Sequence, residues 1–484
     1  MNLKVISRNI GYALLVSALF MLISAGVAFF NGHDSALAAL SISFVITFIV
    51  GIFPFIFVRK TSEITLKEGY IIITLSWLLS FVFGMLPYAL WGGPFTLTNA
   101  WFESVSGFTT TGSTILENVE ALPKSLLFWR SSTHFIGGLG VVVFLLLIIP
   151  GANQMKIRLA NIELSSLSKG GYSARSGKTA YIFAYVYLGI FFLAAVSYAL
   201  AGMPLFDAVC NAMSVCASGG FSTRNASILA FDSRLIELLT MIFMVLTSLH
   251  FGLLFLAVVN RSFKPLKNPV LRFYLCFLLV MTLAVGISLK FSGNVDGWGP
   301  AFWQSAFQTI SVVSTTGFAI ADNADWAMLP NLLLLIGGVM CGCAGSTTGG
   351  VKADRVLVLF KAVSCRVGRV LHPNMVNEIK LGSRVLKNED VTPLLLYICL
   401  YLLILIISVI LSLLFGVNDH SAFAASLCSL SNVGPATGEL GFMGHFNSVP
   451  VAGKILYTAD MFLGRIEIYP VLAVIAMVFD RRRR

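Results

Sequence analysis

The fold is decided by Asn99 to Thr114, NAWFESVSGFTTTGST, together with three stretches that repeat it. These are Asp207 to Ser222 (DAVCNAMSVCASGGFS), Gln304 to Ala319 (QSAFQTISVVSTTGFA) and Ser421 to Ala436 (SAFAASLCSLSNVGPA). Each holds a short apolar run ending in a Ser/Thr/Gly cluster, too short for a span of roughly 20 helical residues, and reads as re-entrant. Superposition on Gly112, Gly220, Gly317 and Gly434 aligns further positions. Twelve residues earlier stand Ala100, Ala208, Ser305 and Ala422, and six earlier stand Ser106, Ser214, Ser311 and Cys428. Immediately before the glycines come Thr110-Thr111, Ser218-Gly219, Thr315-Thr316 and Asn432-Val433. One such cluster can merely pack helices together. Four in register, with glycines 108, 97 and 117 residues apart, define a repeat.

The surrounding chain is a membrane sequence. Of its 484 residues 57% are apolar and 11% charged, against roughly 25% charged in soluble domains. Mean hydropathy is +0.87. Apolar runs cover 9–30, 36–58, 69–91, 125–150, 179–201, 235–259, 270–290, 327–362, 392–415 and 451–479, which predicts ten spans. The first is longer than a signal-peptide core and the second follows closely, so it reads as a span. The expected fold is an all-α integral membrane protein with ten transmembrane helices. Eight of them belong to four repeats of span, re-entrant helix, turn and span with pseudo-fourfold symmetry, and two N-terminal helices stand outside. The expected units are 1–66, 67–152, 153–262, 263–388 and 389–484. The eight cysteines form no CxxC pair and imply neither a disulfide frame nor a zinc site.

The charges predict the orientation. With both termini in the cytoplasm, the cytoplasmic segments hold 26 of the 33 Lys and Arg but only 8 of the 22 Asp and Glu. This is the positive-inside bias. It accounts for the net charge of +11, so basicity carries no argument for nucleic acid, and no basic–aromatic motif is present.

Irregular backbone at membrane depth is tolerated only where it lines a cavity or is buried in protein. Glycine lets such a turn take left-handed conformations, and rings of backbone carbonyls replace the hydration shell of a small cation. The re-entrant helices would point their negative C-terminal ends at the same axis. The expected potassium-selectivity filter is therefore Thr110, Thr111, Gly112, Ser218, Gly219, Gly220, Thr315, Thr316, Gly317, Asn432, Val433 and Gly434, with K⁺ as the bound ion and no transition metal.

These turns, the run Gly342 to Gly350 (GCAGSTTGG), His372-Pro373-Asn374 with Ile379 to Gly382, and Leu463-Gly464-Arg465 together resemble the Trk/Ktr/HKT superfamily of potassium transporters. The likeness runs over essentially the whole chain, and the two extra N-terminal spans place it nearest the Trk-type transmembrane subunits of bacteria. The resemblance implies a gated subunit of a K⁺ uptake system in the bacterial inner membrane, passing K⁺ and Rb⁺. It also implies a homodimer with one pore per subunit and a cytoplasmic ring of nucleotide-binding (TrkA/RCK-type) regulatory subunits. No organic cofactor is implied.

The segment from about Trp326 to Val363 is too long for one simple span, and its Gly342 to Gly350 core cannot remain helical cheaply, since each Gly costs about 1 kcal/mol against Ala. It reads as an unwound intramembrane loop below the filter, or alternatively as a cytoplasmic turn. By resemblance Gly345, Ser346, Thr347, Thr348 and Gly349 are gate candidates. Arg465 lies too deep to snorkel, and an unpaired charge there costs at least ~2.5 kcal/mol. It is expected to face the pore or the loop, with loop carbonyls, Asp460 or Glu467 as partners. His134 and His250 are expected to be hydrogen-bonded to neighbours. Glu103, Asp207 and Asp419 are expected near the starts of the re-entrant helices, as caps or a negative entrance.

A coupled K⁺/H⁺ or K⁺/Na⁺ symporter is the nearest rival. It would need a midplane coupling site in an alternating-access design, whereas these repeats are parallel. An enzyme is excluded by the absence of HExxH, GxSxG or a clustered catalytic set.

Overall fold

The computed structural model describes residues 2–58, 64–138, 140, 179–372, 378–381, 384–386, 388–435 and 437–481. The far half of the 125–150 run, the stretch 151–178, Pro373-Asn374, Gly382 and Arg482 to Arg484 lie outside them. Among the described residues six helices are long and apolar enough to cross a membrane, or seven if one bent pair counts as a span.

Helices α1 (Leu3–Phe30) and α2 (Leu37–Phe57) form an antiparallel hairpin. It closes at Gly11, where an added Cβ would lie 2.6 Å from the Gly51 carbonyl oxygen. Glu68 ties the hairpin to the next unit. Its carboxylate accepts the Asn2 N–H at 2.6 Å and completes a capping box with Thr65. The outward face of α2 remains apolar and exposed at Ile42, Phe53 and Phe57, as a lipid-facing helix requires.

Four similar units follow. The first is α3 (Leu66–Gly84) with α4 (Leu86–Trp91), then α5 (Leu97–Phe108) and α6 (Lys124–Gly138). In the second, α7 (Thr179–Leu200) leads into α8 (Leu205–Cys216), then α9 (Arg234–Ser248) and α10 (Phe251–Val259). The third runs α11 (Pro269–Phe291), α12 (Trp298–Val313), α13 (Met328–Val339) and, after an irregular loop, α14 (Ala353–Leu371). The fourth comprises α15 (Asn388–Leu414), α16 (Asp419–Ser431), α17 (Val451–Ile466) and α18 (Ile468–Arg481). The short helices α5, α8, α12 and α16 occupy the four re-entrant stretches and are buried along most of their length.

Two apolar runs expected to be continuous spans are broken. The 235–259 run bends by 103° between α9 and α10. There His250 becomes the N-cap of α10, and the Phe251 N–H leaves the helix to donate to the Gly345 carbonyl at 3.0 Å. The 451–479 run breaks at Glu467, whose φ of 63° turns the chain and delivers its carboxylate to Arg355 at 2.7 Å. Hydropathy cannot register either break, because the partner that takes the freed group lies in another unit.

The third unit carries its interruption openly. Strands β1 (Met340–Cys341) and β2 (Val351–Lys352) pair in parallel, Met340 with Val351, and hold the ends of the 342–350 loop together. A second pair, β3 (Ile379–Leu381) and β4 (Arg384–Leu386), is antiparallel and packs on α14.

The hairpin contact is directly testable. Gly11→Leu is expected to destabilise the detergent-solubilised protein by about 1–3 kcal/mol through overpacking, read as a lower unfolding temperature. Gly26→Leu, where an added Cβ meets nothing within 4 Å, is the neutral control. Equal unfolding temperatures would contradict the packing described.

Candidate functional site

The four re-entrant helices end in the same backbone device. Thr110, Ser218, Thr315 and Asn432 all take left-handed φ values of 55°, 55°, 56° and 56°. The next residue then folds back on the helix. Thr111, Gly219, Thr316 and Val433 each donate their N–H to the carbonyl of Ser106, Ser214, Ser311 and Cys428, all at 2.9 Å. These acceptors are the residues the repeat placed six before each glycine. Gly112, Gly317 and Gly434 follow with φ of 86°, 79° and 89°, a region that L side chains avoid.

The glycines close these turns into a ring. A Cβ on Gly112 would lie 2.8 Å from the Gly220 nitrogen, and one on Gly220 would lie 2.6 Å from the Thr316 oxygen. One on Gly317 would meet the Val433 oxygen at 2.5 Å, and one on Gly434 the Thr111 oxygen at 2.3 Å. Each turn thus touches the next in cyclic order, and the fourth returns to the first. All twelve residues expected in the filter are brought together in this ring.

Side chains brace it. Ser106 and Ser311 donate their hydroxyls to the Ser113 and Phe318 carbonyls, each at 2.6 Å, tying the helix end to the strand that leaves the turn. Asn432 links the fourth turn to the first through Thr111 Oγ1 at 2.9 Å and to α17 through the Met461 carbonyl at 2.8 Å. Ser113 donates to the Gly434 carbonyl at 2.9 Å. On α6 and α17, Gly137 and Gly464 permit backbone approach to the ends of α5 and α16. A Cβ there would lie 1.8 Å from the Phe108 oxygen and 2.0 Å from the Leu430 oxygen.

The two faces of the ring differ. On one lies a polar vestibule of about 90 Å³, lined by the four glycines with Ser113, Glu117, Arg130 and Arg224 among others. The other face, where the short helices end, is covered by the 342–350 loop. Thr347 Oγ1 hydrogen-bonds Ser218 Oγ at 2.6 Å, and the Gly349 N–H donates to Thr315 Oγ1 at 3.3 Å. Gly349 also lies against Asn432, with room for no side chain. Ser346 and Thr348 hydroxyls pair at 2.7 Å, and Gly345, at φ 77°, turns beneath His250. The loop is thus packed inside the protein against three of the four turns.

Arg465 pins this loop. Its guanidinium donates to the Thr347 carbonyl at 2.6 Å and to the carbonyls of Gly137 and Gly138 at 2.7 and 3.0 Å. One cation from the fourth unit therefore joins the loop of the third to the end of α6 in the first. Of the acidic partners considered, Glu467 is engaged by Arg355, and Asp460 accepts from Ser408.

The model of the TrkH family, described as a cation transport protein, matches residues 37–481. The chain belongs to the TrkH family. It is 32% identical over 486 residues to the Trk system potassium uptake protein TrkH of Salmonella typhimurium, covering 99% of this chain and 100% of that one. The TrkH of Halomonas elongata is 31% identical over 488 residues, covering all of both chains. The crystal structure of the potassium transporter TrkH from Vibrio parahaemolyticus superposes with a TM-score of 0.87 at 32% identity over 98% of each chain. TrkH proteins are transporters and not enzymes, and the all-α membrane architecture is theirs.

Within this TrkH fold several polar residues take roles that sequence reading missed or misplaced. Glu103 does not front a negative entrance. It sits wholly buried in α5, accepts from the Ile115 N–H at 3.1 Å and pairs with Arg130 at 2.5 Å. Asp207 lies in the first turn of α8, as expected, but is neutralised by Arg224 at 2.8 Å. Asp419 occupies the first turn of α16. His250 is hydrogen-bonded as expected, its Nδ1 accepting from the Gly252 N–H at 3.0 Å. His134 is not: among the described residues neither ring nitrogen has a hydrogen-bond partner, and the ring stacks on Phe221 instead. The Arg130–Glu103 pair left a faint sequence signal, a base and an acid in otherwise weakly charged helices.

The serine braces give a paired prediction. Ser106→Ala removes a buried hydrogen bond and is expected to cost about 1–2 kcal/mol, visible as a lower unfolding temperature. Ser214→Ala, at a hydroxyl without a partner among the described residues, should change little. Equal losses at both positions would contradict the bracing role.

Proposed function

We propose that the chain is the gated, potassium-selective conducting subunit of a bacterial K⁺ uptake system, with the four-turn ring as its filter. The observation that carries this reading is the closed ring of glycine-to-backbone contacts between four repeated turns. It is supported by the potassium uptake proteins to which the chain is similar over its full length. In this reading the carbonyls of the turns replace the hydration shell of K⁺, and of the similarly sized Rb⁺. The ends of α5, α8, α12 and α16 add their negative dipole ends. The protein holds the ion-binding backbone in place and supplies no other cofactor. The repeat units are 67–152, 153–262, 263–388 and 389–484, with 1–66 outside them. The chain lies in the inner membrane with both termini in the cytoplasm, as its charge bias supports.

The gate in this reading is the 345–349 loop. Packed against the inner face of the ring, it blocks the path, and Arg465 both holds it there and presents a fixed positive charge that opposes cation passage. Opening requires the Arg465–Thr347 and Ser218–Thr347 hydrogen bonds to give way together. A cytoplasmic ring of nucleotide-binding regulatory subunits, bound to a homodimer of this chain, would drive that change.

The test is ⁸⁶Rb⁺ uptake into proteoliposomes holding only this chain, with an imposed potential. Uptake competed by K⁺ and weakly by Na⁺ at symmetrical pH is expected. Uptake that appears only with a proton or sodium gradient would replace the pore by a coupled symporter. Gly112→Ser or Gly317→Ser should lower the K⁺/Na⁺ permeability ratio by roughly tenfold, equivalent to about 1.4 kcal/mol of relative ion stabilisation. An unchanged ratio in the folded variants would defeat the filter assignment. Arg465→Ala is expected to raise flux several-fold in the absence of any partner. A fall in flux with folding intact would show that Arg465 does not hold a gate.

A further inference from the structure

The second turn of the ring is held differently from the others. Of the four glycines in register, Gly112, Gly220, Gly317 and Gly434, only Gly220 lacks a left-handed φ. Ser106 and Ser311 brace their own turns, yet among the described residues the equivalent Ser214 hydroxyl has no partner. Cys428 occupies that position in the fourth turn, which the Asn432 side chain ties to Thr111 and Met461 instead. The second unit ties the chain to its short helix only further on, where Thr223 and Arg224 donate to Asp207 at 2.7 and 2.8 Å, three and four residues past Gly220.

The first unit supplies one. Phe221, the residue after Gly220, is buried with 1% exposure. The Arg130 guanidinium carbon lies 3.6 Å from its ring centroid, and the His134 ring lies 4.1 Å away at an interplanar angle of 12°. Groups so close to one ring can only occupy opposite faces, so Phe221 is sandwiched between two side chains one helical turn apart on α6. Both contacts suit the ring's quadrupole. Arg130 also donates to the Ser222 carbonyl at 3.1 Å and is itself fixed by Glu103.

The same histidine explains an oddity of the sequence. Where the other turns carry Thr111, Thr316 and Val433, the second carries Gly219. A Cβ at Gly219 would lie 2.5 Å from His134 Nδ1 and 2.7 Å from its Cε1. The His134 ring therefore fills the space that the other turns leave for their own side chains. Among the described residues its ring nitrogens find no hydrogen bond, an unfavourable position for a buried polar group.

We infer that Arg130 and His134 are positioning residues that clamp Phe221 and so set the second filter turn, making ion selectivity depend on two side chains of the first unit that do not belong to the ring. This rests on the filter reading above. The clamp bears on the proposed gate as well, because Ser218 and the Cys216 carbonyl, in the same turn and at the end of α8, are with the Thr247 carbonyl the groups that contact the Thr347 hydroxyl.

The experiment is a double-mutant cycle read as K⁺/Na⁺ permeability ratio in proteoliposomes, with size-exclusion profiles to establish folding. Gly219→Thr alone is expected to reduce the ratio roughly tenfold, because it meets the imidazole. In the His134→Ala background the same substitution should cost much less, since the cavity receives the new side chain. His134→Ala alone should lower the ratio several-fold, and His134→Phe, which keeps a flat ring on Phe221, should restore most of it. Additive effects of Gly219→Thr and His134→Ala, or an unchanged ratio in folded His134→Ala, would overturn the clamp. Gly112→Ser, measured alongside, separates the two levels. If it lowers the ratio while the His134 variants do not, only the clamp fails. If it too has no effect, the filter reading itself fails.

Discussion

Everything in this molecule depends on one constraint: a chain that reverses direction within the membrane must find partners for its backbone polar groups inside the protein. The four turns meet it in two steps. A left-handed residue lets the next N–H bond back to the short helix, at 2.9 Å in every unit. Glycine then lets each turn lie directly on its neighbour, closing a ring that no residue with a Cβ could close without displacement. The serine braces, the close approach at Gly137 and Gly464, and the broken second spans all serve that ring.

The loop of the third unit is the same constraint met a second time. Its freed backbone groups are taken up across the structure, by Ser248, Phe251, Thr315 and Arg465. That dispersal accounts for the irregular second spans of the second and fourth units. α9 and α10 bend where Gly345 accepts the Phe251 N–H, and α17 ends where Arg465 turns to Thr347. A loop bound by hydrogen bonds from several units is held as one piece, which is the property the proposed gate requires.

The register of the ring was legible in the sequence because glycine is required at each contact and the spacing of the units repeats. The loop was legible for a related reason, as four glycines and three hydroxyl residues cannot stay helical in the middle of an apolar run. Depth narrowed Arg465 to the pore or the loop, with loop carbonyls, Asp460 or Glu467 as partners, and the structure gives it the Thr347 carbonyl. What could not be read was every feature that depends on the identity of a distant partner. The break at His250 lies in a run of continuous hydropathy, and the charges around Glu467 do not by themselves say that the helix ends there. Glu103 was taken for a helix-start acid because Arg130 lies 27 residues away in sequence. His134 was expected to be hydrogen-bonded because buried polar groups ordinarily are. It is instead a plate against Phe221, and only the glycine at 219 hinted at that.

The fourfold pattern is therefore a property of the backbone, while the means of holding it differ from turn to turn. The central claim is that this ring is where the ion sheds its water. The most direct measurement is the anomalous scattering of crystals of this chain grown in Rb⁺. Peaks on the axis of the ring, coordinated by carbonyls of the four turns, are the predicted result. Rb⁺ bound only elsewhere, with the ring empty at saturating concentration, would contradict the account.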